Sequence, residues 1–144
     1  MFLHALQEHF GFISQGAVEW TAVKLGLQPI NIHELVTFYP MFRQAPLGRH
    51  QIKVCRTLSC ALAGAHEVRD FFCKKVGLDP HKHGPQTTAD GRYTVEFVEC
   101  LASCGTAPVV MVNETFHERV TVRKAEQILA GCGGSENFES RGEM

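Results

Sequence analysis

Apolar residues recur every three to four positions along the first forty residues, which is the spacing of one face of a helix. The pattern predicts helices over Phe2–Phe10, Ala17–Leu25 and Ile32–Phe38, with Asn31 as the N-cap of the third helix. These helices make up a predicted N-terminal helical segment, residues 1–46.

The pattern changes after this segment, because polar and apolar residues alternate from Gln51 to Val54 as they do in a half-buried strand. The predicted strand ends at Cys55. A helix follows over Ala61–Val76, where apolar residues again recur at intervals of three to four, and Gly77 ends it.

The remaining pattern predicts strands over Tyr93–Val98 and Pro108–Val112 and a terminal helix over Val122–Leu129. The order β-α-β-β-α belongs to the α/β class and defines a second domain, residues 47–131. The polar, glycine-rich residues 132–144 are predicted to be a flexible tail.

Composition changes this picture little. The chain has 144 residues, 44% of them hydrophobic, and a formal net charge of -1, so no charge excess favours nucleic acid or lipid headgroups as partners. No apolar run is long enough to span a membrane, and the N-terminus lacks a basic leader, which predicts a cytoplasmic protein without direct membrane insertion.

The chemistry of the chain is concentrated in its cysteines. The segment CRTLSC holds Cys55 and Cys60, and the segment CLASC holds Cys100 and Cys104. Each pair follows the C-terminal end of a predicted strand, where α/β sheets commonly bind ligands. In a reducing cytosol such thiols are more often ligands or nucleophiles than disulfides, so the two pairs predict one four-thiolate metal centre.

Four thiolates are the ligand set of a 2Fe-2S cluster, with two for each iron. The spacing also leaves open a zinc-stabilised interaction module, although structural zinc sites usually include a CxxC pair and this chain has none. A thioredoxin-type dithiol is disfavoured for the same reason. A helix capped by Ser59 is expected to direct backbone N–H groups of residues 60–62 toward the centre.

The remaining cysteines and the histidines of the polar loop are assigned no role in metal binding or catalysis. Cys73 lies among apolar helix residues and is predicted to be a buried hydrophobe, and Cys132 lies in the predicted tail. His81 and His83 lie in a polar stretch that predicts a solvated loop. No catalytic triad or phosphate-binding glycine loop is present, so no catalytic residue is assigned.

The two cysteine pairs, together with TADGRYTVEFVECLASCGTAPVVMVN at residues 88–113, resemble the small 2Fe-2S subunit of NADH dehydrogenase modules, as in respiratory complex I. The segments LVTFYPMF at 35–42 and GRHQIKVC at 48–55 extend the resemblance. It covers the chain from about Leu6 to Leu129.

The resemblance implies a thioredoxin-like 2Fe-2S ferredoxin domain preceded by a helical bundle. It implies one 2Fe-2S cluster, for both cofactor and metal binding, on Cys55, Cys60, Cys100 and Cys104. It also implies a partner flavoprotein subunit that carries FMN and binds NADH. Ala102 departs from the pattern, because the family often has glycine at that position.

The expected function is therefore one-electron exchange with the FMN of the partner in NADH:quinone oxidoreductase, at the inner face of the membrane. Soluble NAD-linked hydrogenases and formate dehydrogenases use the same subunit type and remain alternatives. Glu99, beside one predicted ligand, is expected to lower the reduction potential if it is buried. Phe38, Tyr39 and Phe42 are candidates either for partner contact or for internal packing against the α/β part.

Overall fold

Three helices form near the N-terminus in the computed structural model, which describes residues 1–133. The chain divides into two compact units, Met1–Leu47 and the residues from Gly48 onward. The helices of the first unit are α1 (Phe2–Phe10), α2 (Gln15–Leu25) and α3 (Pro29–Phe38). All three predicted helices are therefore confirmed.

The first unit has an apolar core because each helix contributes the buried side of its apolar face. The buried residues are Leu3, Ile13, Val18, Ala22, Ile32 and Val36. The third helix begins at Pro29, three residues earlier than predicted, so Asn31 lies in its first turn and is not the N-cap. The Asn31 side chain still contributes at the start of the helix, because its Oδ1 accepts a hydrogen bond from the N–H of the N-cap residue Gln28 at 3.2 Å.

The three aromatic residues at the end of this unit have different surroundings. Phe42 packs against the apolar core, and its ring centroid lies 5.0 Å from that of His4. Phe38 and Tyr39 are exposed and contact each other edge to face. Phe42 thus packs within the first unit, and internal packing is wrong for Phe38.

The second unit contains a five-stranded mixed sheet, which confirms the predicted α/β class. Its strands are β1 (His50–Cys55), β2 (Gln86–Thr87), β3 (Tyr93–Val98), β4 (Val110–Val112) and β5 (Thr115–His117), in the spatial order β2-β3-β1-β4-β5. The central strand β1 runs parallel to β3, and the other neighbours are antiparallel. The short edge strands β2 and β5 were not predicted.

Between residues 48 and 133, three helices and one 3-10 turn accompany this sheet. The helices are α4 (Leu58–Leu62), α5 (Ala65–Val76) and α6 (Val122–Gly133), and the 3-10 turn spans Cys104–Thr106. The single helix predicted over Ala61–Val76 is wrong, because Gly64 at φ 100° separates α4 from α5. Among residues 1–133, no helix has the length and apolar character that crossing a membrane requires.

The core of the second unit lies where α5 and α6 pack with the sheet. Ile52 and Val54 of β1, Val95 of β3 and Phe72 of α5 are fully buried. Cys73 is buried beside them, as predicted. The prediction for Cys132 is wrong, because this residue lies in α6 and packs against the same core. Residues 134–144 of the predicted tail lie outside the described residues.

A buried guanidinium orders the polar loop after α5. Arg69 donates to the carbonyl oxygens of Pro80 and of Lys82, and its guanidinium carbon lies 4.9 Å from the centroid of the Phe97 ring. His81 and His83 flank Lys82 and are exposed, in agreement with a solvated loop.

Gly48 lies where two backbones approach each other, and this produces a stability prediction. A Cβ at this position would lie 2.6 Å from the carbonyl carbon of Tyr93 and 2.9 Å from the Thr94 nitrogen. We expect Gly48→Ala to lower the free energy of unfolding by about 2 kcal/mol, because backbone atoms have to move. Chemical denaturation measures this change. The control is Gly131→Ala in α6, where nothing lies within 4 Å, and a similar loss there would contradict the steric argument.

Ala102 adopts φ 59°, a left-handed conformation that costs a residue with a Cβ about 1–2 kcal/mol. Glycine is free of this cost but loses more entropy on folding. We therefore expect Ala102→Gly to leave the free energy of unfolding unchanged or to raise it by about 1 kcal/mol. Ala130→Gly, on the exposed side of α6, should lower it by about 1 kcal/mol. Equal losses in the two variants would show that Ala102 bears no strain.

Candidate metal centre

The four cysteines of the two pairs leave the sheet at one edge. Cys55 is the last residue of β1, and Cys60 follows in α4. Cys100 follows β3, and Cys104 opens the 3-10 turn. Because β1 and β3 are parallel neighbours, with Cys55 opposite Val98, their C-terminal ends lie side by side. The fold therefore brings together the two thiol pairs that the sequence singled out.

The thiols form two pairs in contact. Cys100 Sγ and Cys104 Sγ are 3.7 Å apart, and the thiols of Cys55 and Cys60 hydrogen-bond to each other. Metal–thiolate bonds of about 2.3 Å at tetrahedral angles place two thiolates about 3.8 Å apart, so the first spacing fits two ligands of one metal ion. In residues 1–133, no three His, Cys, Asp or Glu side chains converge on a single-ion site. All six cysteines are free thiols.

Two hydroxyl side chains connect the pairs. Thr57 Oγ1 lies 3.3 Å from Cys55 Sγ, and the same side chain hydrogen-bonds to the thiol of Cys100. Ser59 hydrogen-bonds to the thiol of Cys104. The predicted capping role of Ser59 is wrong, since Thr57 is the N-cap of α4 and Ser59 lies within the helix.

The pairs differ in their access to solvent. Cys55 and Cys60 are 2% and 1% exposed, whereas Cys100 and Cys104 are exposed. The first pair is therefore an inner pair within the core, and the second is an outer pair at the surface. A centre held by all four thiols would be buried on one side and accessible on the other.

In the inner pair, the pKa of Cys55 is lowered and the pKa of Cys60 is raised. Burial disfavours the thiolate of Cys55, but hydrogen bonds from Thr57 and from the backbone of Leu101 outweigh it and lower the pKa of Cys55. Burial raises the pKa of Cys60, and the neighbouring Cys55 raises it further. A second thiolate beside the first is thus disfavoured.

The outer pair has the same asymmetry. The Ala102 N–H donates to Cys100 Sγ at 3.3 Å and lowers the pKa of Cys100, and the hydrogen bond with Cys104 adds to this. That contact raises the pKa of Cys104, as does the charge of Cys100. A bound cation would favour full deprotonation of both pairs, which is the chemistry of a thiolate-ligated metal centre.

Backbone N–H groups from several segments donate hydrogen bonds to the cysteine sulfurs and place the positive ends of their dipoles beside them. They come from Thr57 and Leu101 to Cys55, from Val109 to Cys60, and from Ala102 to Cys100. Ala102, whose N–H donates to Cys100 Sγ, itself adopts a left-handed conformation. These donors differ from the residues 60–62 that the sequence predicted.

A carboxylate anchors the outer loop. Glu118 Oε1 accepts hydrogen bonds from Ser103 Oγ at 2.7 Å and from Thr106 Oγ1 at 2.8 Å, and these residues lie on either side of Cys104. The same bonds hold the pKa of Glu118 below its ordinary value. Sequence reasoning missed Glu118, because it lies 14 positions after Cys104 in no recognised motif.

A charged pair connects the two loops on the outside. Arg56 Nε donates to Glu99 Oε1 at 2.9 Å, and Arg56 Nη2 donates to the same oxygen. The two side chains are 56% and 70% exposed. The sequence singled out Glu99 as a residue that would lower a reduction potential if buried, and that condition is not met.

Comparison with known proteins supports this centre. The chain matches the family described as thioredoxin-like [2Fe-2S] ferredoxin over residues 1–133. It is 37% identical to NADH-quinone oxidoreductase subunit 2 of Thermus thermophilus over 138 residues, which is 95% of this chain and 74% of the relative. It is 33% identical to an NADH-quinone oxidoreductase subunit of Rickettsia typhi, over 87% of this chain and 71% of the relative.

Among solved structures, an NAD+-reducing [NiFe]-hydrogenase in its air-oxidized state superimposes with a TM-score of 0.74 at 21% identity. The match covers 98% of this chain and 24% of the hydrogenase chain, and it shows a shared fold. The family match decides between the iron-sulfur and zinc alternatives that the cysteine spacing left open. The chain belongs to the thioredoxin-like [2Fe-2S] ferredoxin family, which carries one 2Fe-2S cluster, and groups with these NADH-quinone oxidoreductase subunits.

Proposed function

We propose that this chain holds its 2Fe-2S cluster on Cys55, Cys60, Cys100 and Cys104 and serves as a one-electron carrier in NADH-quinone oxidoreductase. The observation that carries the ligand assignment is the meeting of two thiol pairs at the adjacent ends of β1 and β3. The 3.7 Å spacing of the outer pair supports Cys100 and Cys104 as ligands of one iron. Cys55 and Cys60 would bind the other.

When bound, such a cluster supplies a site that gains and loses single electrons. The residues of the chain would adjust this site in two ways. The buried inner pair excludes water from one side, and backbone N–H groups stabilise the negative charge on the sulfurs. The exposed outer pair leaves the other side open to a redox partner.

The proposed partner is a flavoprotein subunit that carries FMN and oxidises NADH. Hydride transfer delivers two electrons together, whereas iron-sulfur centres take them singly, so a one-electron carrier fits beside a flavin. The proposal follows the quinone oxidoreductase relatives because they are 33% and 37% identical, whereas the hydrogenase likeness at 21% identity supports the fold alone. A position at the inner face of the membrane belongs to the same proposal.

The ligand assignment is tested by replacing each of the four cysteines with alanine, which cannot bind iron. We expect each variant, reconstituted anaerobically, to lose bound iron and to lose the rhombic 2Fe-2S electron paramagnetic resonance signal after dithionite reduction. Cys132→Ser is the control and should retain both, because Cys132 lies in α6 and lines a cavity with His50, at the opposite end of β1 from Cys55. If any of the four alanine variants kept wild-type iron content and signal, that residue would not be a ligand.

The anchoring by Glu118 produces a separate prediction. We expect Glu118→Ala to release iron to a chelator several times faster than wild type, because the hydroxyls of Ser103 and Thr106 lose their shared acceptor. Glu118→Gln keeps an acceptor oxygen and should show a smaller increase. Glu114→Ala removes a nearby exposed carboxylate and serves as the control. Equal release rates in all three variants would contradict the anchoring role.

A further inference from the structure

The strongest unassigned feature is the ion pair between Arg56 and Glu99. Arg56 directly follows Cys55, and Glu99 directly precedes Cys100, so each charged residue adjoins one of the two thiol loops. Two guanidinium nitrogens of Arg56 donate to one carboxylate oxygen of Glu99, across 43 positions of sequence. The pair therefore spans from the inner ligand loop to the outer one.

Stability does not account for this pair. The side chains are 56% and 70% exposed, and ion pairs between such exposed side chains contribute little to stability. The loops are also joined by the backbone, because the Arg56 N–H donates to the Val98 oxygen at 3.0 Å. Removing either charge should therefore leave the strands paired and the domain folded.

Electrostatics gives the pair a more specific role. Two ferric irons, two sulfides and four thiolates carry a net negative charge, and reduction adds one more. A positive charge beside the ligands would favour the reduced form, whereas a negative charge would oppose it. Arg56 and Glu99 place one of each beside the ligand loops, and their direct contact makes the two effects largely cancel.

We propose that Arg56 and Glu99 balance each other's charge beside the two ligand loops, so that neither charge alone shifts the reduction potential of the cluster. This inference depends on the proposed ligand assignment. Removing Glu99 leaves the field of Arg56 uncompensated and shifts the potential upward. Removing Arg56 does the opposite. Removing both charges returns the potential toward the wild-type value.

The test compares Arg56→Gln, Glu99→Gln and the double variant in the full-length chain with its cluster reconstituted. Potentiometric titration followed by the reduced-cluster signal gives the midpoint potential of each. At a fixed applied potential, Glu99→Gln should raise the ratio of reduced to oxidised cluster by roughly three- to tenfold. Arg56→Gln should lower it by a similar factor, and the double variant should lie close to wild type.

The matched control is the ion pair of Lys75 with Glu126, which joins α5 to α6 at 3.4 Å and has side chains 52% and 65% exposed. It lies beside Tyr93, at the opposite end of β3 from the cysteines. Lys75→Gln and Glu126→Gln should leave the potential unchanged, because the charges are far from the cluster and screened by solvent.

The outcomes separate the two proposals. Shifts of opposite sign that cancel in the double variant support the inference. Shifts of the same sign, or shifts no larger than those of the Lys75 and Glu126 controls, overturn it while the cluster remains intact. Retention of the cluster in the Cys→Ala variants would instead overturn the ligand assignment itself.

Discussion

The parallel pairing of β1 with β3 is the interaction on which the metal centre depends. It places the residue after each strand at the same edge of the sheet, so that two loops separated by more than forty positions in sequence meet. The pairing is itself fixed by burial, because Ile52 and Val54 on one strand and Val95 on the other lie in a single core. A slip of one residue would turn these side chains away from the core and move Cys55 relative to Cys100.

The centre shows how a protein prepares a site for a cluster with net negative charge. Hydrogen-bond donors reach the inner sulfurs from three separate segments, and no single helix N-terminus supplies them all. The thiols of each pair still oppose full ionisation of one another. The protein therefore stabilises part of the negative charge by itself, and a bound metal would stabilise the rest.

The two loops are supported differently. The inner loop is held by the core, since Cys55 ends a buried strand and Cys60 is packed against the same cluster of side chains. The outer loop has no such burial and depends on polar contacts, chiefly those of Glu118 with the hydroxyls on either side of Cys104. This difference suits a carrier that has to protect its cofactor on one side and exchange electrons on the other.

Sequence alone determined the α/β class, most helices, the longer strands and the two cysteine pairs, because periodicity and cysteine spacing are local properties of the chain. The sequence pattern did not predict β2 and β5, because strands of two or three residues are too short to show an alternation of polar and apolar positions. Only the tertiary structure decided which cysteines are buried, which N–H groups reach the sulfurs, and that Glu118 bonds to the outer loop while Arg56 pairs with Glu99. These contacts join residues distant in sequence, and no local pattern records them. The left-handed conformation of Ala102, in the loop between Cys100 and Cys104, was not predicted from the sequence either.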